Sequence, residues 1–95
     1  MADFSVKHDP AARGFSVEAD GHRGVVDYIL RNGVMTITHT GVPSEIGGRG
    51  VAAALVQAAL ETARSKGWKV IPACSYAAVF IKRHPEYAVL LCDRP

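Results

Sequence analysis

Apolar and polar positions alternate through the first forty residues, the period-two pattern of strands that bury one face. Phe4, Val6 and His8 share a face, and beyond the Asp9-Pro10 break Phe15, Val17 and Ala19 share another. Asp20-Gly21 signals a turn, and the run Gly24 to Arg31 sets Val26, Tyr28 and Leu30 on one side. It ends at Asn32-Gly33, a strong short-range hairpin signal. The returning run, Val34 to Thr40, places Met35, Ile37 and His39 on one face and Thr36, Thr38 and Thr40 on the other. Four antiparallel strands are therefore predicted before residue 41.

After Gly41-Val42-Pro43 the period lengthens to 3.6. Val51, Ala52, Leu55, Val56, Ala59 and Ala63 cover one arc, with Gln57, Glu61 and Arg64 opposite, which predicts an amphipathic helix lying on the sheet. Its alanines favour helix intrinsically, and Lys66-Gly67 supplies a cationic last turn and a glycine stop. Trp68 to Ala73 reads as a short buried strand. Ser75 is placed to cap a second helix running to His84, where Pro85 prevents continuation, and Glu86 to Cys92 adds a last turn or an edge strand. Four strands, helix, strand, helix is an α+β order, with helices packed on a mainly antiparallel sheet.

Length and composition narrow this picture. Ninety-five residues suffice for one domain with one core, so residues 1 to 95 are read as a single unit. An apolar fraction of 48% with 21% charged residues is that of a folded globular chain rather than a disordered one. The net charge of +2 comes from interleaved signs, so no basic stripe is present to follow a phosphate backbone, and nucleic acid is not expected as a partner. The apolar stretch Val51 to Leu60 is too short to span a bilayer, and MADFSVKHD lacks the apolar core of a signal peptide. No membrane association is expected, and the location expected is cytoplasmic. Cys74 and Cys92 form neither a CxxC pair nor a disulfide framework, which fits a reducing compartment. His8, His22, His39 and His84 are scattered, without the close pairs of a metal site, so no metal is expected.

The chemistry concentrates where the long helix begins. Gly47, Gly48 and Gly50 precede its first turn. A helix N-terminus presents backbone N–H groups with no intrahelical partner together with a partial positive charge, and glycines let an anion approach them. Arg49 adds a full charge. The same glycines would also serve a plain turn. Neither the Gly-Lys-Ser/Thr of a Walker loop nor a GxGxxG dinucleotide fingerprint is present.

Gly47-Gly48-Arg49-Gly50-Val51-Ala52 resembles the pyrophosphate motif of the GNAT acetyltransferases, Arg/Gln-x-x-Gly-x-Gly/Ala, in its second half, with Gly47 replacing the usual first residue. The resemblance widens over residues 39 to 91. HTGVP, the glycine loop, the VIPAC strand and RHPEY follow in the order and spacing of the small YjdJ-type GNAT-like domains, except that Gly41 stands where relatives often carry an acidic residue. It implies a minimal GNAT fold that binds acetyl-CoA as co-substrate across two splayed strands, with an amine as acceptor. The residues it marks for the cofactor are Val42, Ile46, Gly47, Gly48, Arg49, Gly50, Val51, Ala52, Ser75 and Arg83. The acceptor amine is expected on a large molecule such as a protein, because the helices that usually wall the acceptor site have no counterpart before residue 41. The chain is expected to act as a monomer or weak homodimer.

Two side chains are candidates for catalysis. Cys74 ends the Trp68 to Ala73 strand beside a predicted helix start, where a thiol gains nucleophilic character; it is there to accept the acetyl group or protonate the leaving thiolate, or else it is a small buried hydrophobe. His39 ends the strand before the glycine loop and is a candidate general base, or a core histidine beside Met35 and Ile37. Tyr76, Phe80 and Tyr87 are expected in the core. An acyl-CoA-binding module without catalysis would share the same cofactor residues.

Overall fold

The computed structural model describes residues 5–92, so the expected place of Phe4 in the first strand lies outside the described residues. Both predicted hairpin turns form. Asp20 and Gly21 have φ of 51° and 75°, and Asn32 and Gly33 have φ of 53° and 74°, the all-positive pairs of type I′ turns that match the strand twist. They join β2 (Gly14–Ala19), β3 (His22–Arg31) and β4 (Val34–Gly41) into an antiparallel meander, with β1 (Lys7–Asp9) paired outside β2. After a single 3₁₀ turn at Ser44–Ile46 come helix α1 (Val51–Lys66), strand β5 (Lys69–Pro72), helix α2 (Ser75–Arg83) and a 3₁₀ segment, Pro85–Leu90. β5 runs parallel to β4, from Val34 opposite Lys69 to Ile37 opposite Pro72, so the sheet order is β1-β2-β3-β4-β5. The tail adds one bridge, Leu91 beside Val70.

Both helices and the closing 3₁₀ segment contribute to one core. Val51, Leu55, Val56, Ala59, Leu60 and Ala63 of α1, with Ala77, Phe80 and Ile81 of α2 and Tyr87 and Leu90 behind them, bury the side of the sheet that carries Phe15, Val17, Val26, Met35, Ile37 and Val70. The other side, with Glu18, Asp27 and Ile29, faces solvent; Ile29 is 52% exposed. The first turn of α1 comes down directly on β3 at Gly24, where a Cβ would lie 2.9 Å from Val51 Cγ1 and 3.3 Å from Leu55 Cδ1. Only a residue without a side chain permits that approach.

Two local expectations are corrected. Period-two reading of β4 puts His39 beside Met35 and Ile37, but the ladder shifts register between Asp27 and Tyr28: Tyr28 pairs with Ile37 and Asp27 with His39. Thr38 is the extra residue of a β-bulge, and its hydroxyl donates to the Asp27 carbonyl at 3.3 Å. Beyond the bulge the alternation is inverted. His39 is exposed on the side of Asp27, and Thr40 takes the inward position opposite Val26. The second correction is at α2, whose N-cap is Cys74 rather than Ser75; Cys74 is extended, and its Sγ accepts the Ala77 N–H at 3.4 Å. The helix ends at Arg83, one residue short of the expected His84.

Candidate functional site

β4 and β5 part company at the bulge. Their pairing stops at Ile37 and Pro72, the Cys74 N–H still donates to the Ile37 carbonyl at 3.0 Å, and Thr38 to Gly41 continue without a β5 partner. A strand edge of this kind presents backbone donors and acceptors to an extended ligand. The 3₁₀ turn, anchored by fully buried Ile46, then carries the chain round to the glycine loop.

Gly50 is the N-cap of α1 in the left-handed region, φ 86°, and no side chain caps the helix. The first N–H groups of α1 therefore lack both intrahelical partners and a capping oxygen from residue 50. A groove of about 330 Å³ opens on this turn, lined by Val42, Gly47, Gly48, Gly50, Val51, Ala52, Ala53 and Tyr76. Hypothetical Cβ atoms at Gly48 and Gly50 meet nothing within 4 Å, so an anion can reach the backbone there without obstruction. Ala53 and Tyr76 also line an adjoining hollow of about 170 Å³ formed with Val79, Phe80, Arg83 and His84, where the His84 ring stacks on Phe80 at 4.2 Å. The two hollows make one path from the glycine loop along the cleft between α1 and α2.

Most of the residues marked by the sequence for a cofactor meet here. Val42, Gly47, Gly48, Gly50, Val51 and Ala52 line the first hollow and Arg83 the second. Ile46 does not: it is wholly buried and supports the loop from beneath. Arg49 turns away, onto the β2–β3 turn, where it ion-pairs with Asp20 and donates to the Glu45 carbonyl at 3.4 Å. Ser75 is exposed at the first position of α2. Tyr76, expected in the core with Phe80 and Tyr87, is 40% exposed and lines both hollows, whereas Phe80 and Tyr87 are 7% and 3% exposed. Its aromatic character gave no sign of this, because one turn of helix separates a core position from a rim position.

Cys74 stands where the two strands diverge. Its half-buried Sγ lies 3.3 Å from Thr40 Oγ1, a contact that exists only because the bulge turns Thr40 inward. His39 is on the opposite side of β4, with its imidazole across Gly41: a Cβ on residue 41 would be 2.8 Å from His39 Nε2. The two catalytic candidates thus address opposite faces of one strand. Among the described residues no group of His, Cys, Asp and Glu could hold a metal ion, and no helix is long and apolar enough to cross a membrane.

Comparison with known proteins agrees with this geometry. The family model described as GCN5-related N-acetyl-transferase matches residues 14–90. Protein NATD1 of Mus musculus is 34% identical over 83 residues, which cover 84% of this chain and 76% of the mouse protein. Protein NATD1 of Gallus gallus is 32% identical over 85 residues, 86% of this chain and 77% of the chicken protein. The solution NMR structure of a GCN5-like protein from Staphylococcus aureus superposes with a TM-score of 0.72 at 28% identity, covering 97% of this chain and 91% of that one. The α+β architecture read from the pattern is the one the Staphylococcus aureus structure shows, and the chain belongs to the family of GCN5-related N-acetyltransferases.

Proposed function

We propose that the chain transfers an acetyl group from acetyl-CoA to an amine carried by a large acceptor. The observation that carries this reading is the groove on the uncapped start of α1: it is lined by the glycine loop and by Val42, which follows the β4 edge left without a β5 partner, and it shares Ala53 and Tyr76 with the hollow toward Arg83. Acetyl-CoA supplies an acetyl thioester already activated for attack by an amine. The β4 edge offers hydrogen bonds to an amide-containing arm, as a strand does to an added strand. The N–H groups of the first turn of α1 hold phosphate charge, with Tyr76 lining both hollows and Arg83 the farther one.

The chemistry asked of the protein is mostly positioning. A neutral amine attacks the thioester carbon, a C–N bond forms, the C–S bond breaks, and the sulfur that leaves takes a proton. Cys74 is the thiol placed to give that proton, and the Thr40 hydroxyl fixes its direction. His39, exposed on the opposite face of β4, is placed to take the proton released by the incoming amine from the solvent side. The exposed glycines and Tyr76 leave the path open, which suits an amine presented by a macromolecule better than a metabolite that must be enclosed. We place the protein in the cytoplasm, in keeping with a sequence whose two cysteines, Cys74 and Cys92, form neither a CxxC pair nor a disulfide-dense framework.

Mass spectrometry after exposure to acetyl-CoA, with and without a protein lysate, tests the reading. Acetylated lysate proteins are expected in an amount that falls for Cys74→Ala. An acetyl group retained on Cys74 would instead make the cysteine a covalent carrier. CoA binding with no acetylated product in either arm would reduce the chain to a binding module.

A further inference from the structure

The glycine loop carries one full positive charge, and the groove does not use it. Gly47, Gly48, Gly50, Val51, Ala52 and Ala53 line the hollow on one side of the loop; Arg49, in their midst, does not. Its guanidinium crosses to the β2–β3 turn, ion-pairing through Nη1 with the Asp20 carboxylate, while Nη2 donates to the Glu45 carbonyl. The Glu45 carboxylate lies 3.9 Å from His22 Nδ1, and Asp20 is the carboxylate that ion-pairs with Arg49. Both side chains are open to water, Arg49 at 47% and Asp20 at 64% exposure. The Asp20 carboxyl is held below its ordinary value, first by the hydrogen bond from Arg49 and then by its charge.

An exposed ion pair is weakly held, since water screens the charges and two side chains lose freedom. A guanidinium gains more from phosphate, which offers several charged oxygens to its fork of donors. Arg49 immediately precedes the N-cap of α1 and sits between Gly48 and Gly50, which both line the hollow, so its backbone is already at the groove and only its side chain is turned aside. We propose that Asp20 is a latch: it holds Arg49 away from the groove in the free protein, and the phosphates of the bound coenzyme displace it. The latch rests on the reading of the groove as a coenzyme A site. It makes Asp20, a residue of a distant hairpin turn, a determinant of coenzyme affinity.

Calorimetric titration with CoA of the wild type, Asp20→Asn, Arg49→Ala and the double variant tests it. Asparagine tolerates the left-handed backbone of residue 20, so the turn survives. Asp20→Asn is expected to tighten CoA binding about threefold and Arg49→Ala to weaken it, with no gain from Asp20→Asn once Arg49 is gone. An equal gain in the Arg49→Ala background would show Asp20 acting through its charge alone and overturn the latch. Unchanged or weaker binding by Asp20→Asn would also overturn it, the weaker case making the pair a staple of the loop. Wild-type protein that binds no CoA would overturn the groove reading itself, and the latch with it.

Discussion

At the scale of single residues, Cys74 caps α2 with the same Sγ that meets Thr40 beside the strand divergence, and the proposed function assigns that thiol a chemical role as well. Cys74→Ala therefore loses a cap and is expected to cost about 1 kcal/mol of stability. Cys74→Ser keeps the cap. Both variants should lose acetyl transfer, while CoA affinity stays within about threefold because the groove proposed for the phosphates opens on the first turn of α1; full transferase activity in Cys74→Ala would make the thiol structural. His8 gives a second residue-level expectation. Its ring stacks on Phe15 at 4.1 Å and its Nε2 is 2.7 Å from the Tyr28 hydroxyl. Burial, with the Lys66 charge behind it and Asp9 opposing, lowers its pKa below 6.5. The folded state thus favours neutral His8, so this contribution to stability is present above 6.5 and is lost as pH falls through the lower folded value. Urea midpoints measured between about pH 7.5 and about pH 5 should fall less for His8→Phe, which stacks and does not titrate; equal slopes would contradict it.

At the scale of elements, the position of α1 couples the core to the site. Gly24 lets the first turn of the helix rest on β3, so Gly24→Val must push Val51 and Leu55 outward at a cost of about 1–3 kcal/mol. CoA affinity should fall with stability in that variant, since Val51 also lines the groove; normal affinity in a destabilised Gly24→Val protein would uncouple loop from helix packing. The same scale shows how much of the site the sequence makes legible. Both hairpins, α1 and its two glycine ends were readable because turn chemistry and helical periodicity are local. The face of His39 was not. A bulge at Thr38 changes no residue type, yet one extra residue inverts everything after it, sending His39 outward and Thr40 toward Cys74. Cys74 as the cap of α2 was hidden too, because Ser75 beside it is the stronger capping residue by type and only the backbone decides which is extended. The parallel pairing of β5 with β4, which makes the divergence, is a matter of topology that spacing along the chain does not state.

For the whole molecule, one side of the sheet holds the core and the helices whose cleft the proposal assigns to the coenzyme, and the other lies open, with Asp27, Ile29 and His39 exposed. A ligand that binds only the folded protein raises its stability by mass action, so CoA at about 100 times its Kd should add about 2.7 kcal/mol. That stabilisation alone would not locate the ligand. Titration of ¹⁵N-labelled protein with CoA, followed amide by amide, tests the central claim most directly. The account predicts saturable shifts largest at Gly48, Gly50, Val51 and Ala52 and along Thr38 to Gly41, with smaller ones at Tyr76 and Arg83. Shifts confined to the open face around Glu18 and Ile29, or none at millimolar CoA, would contradict it.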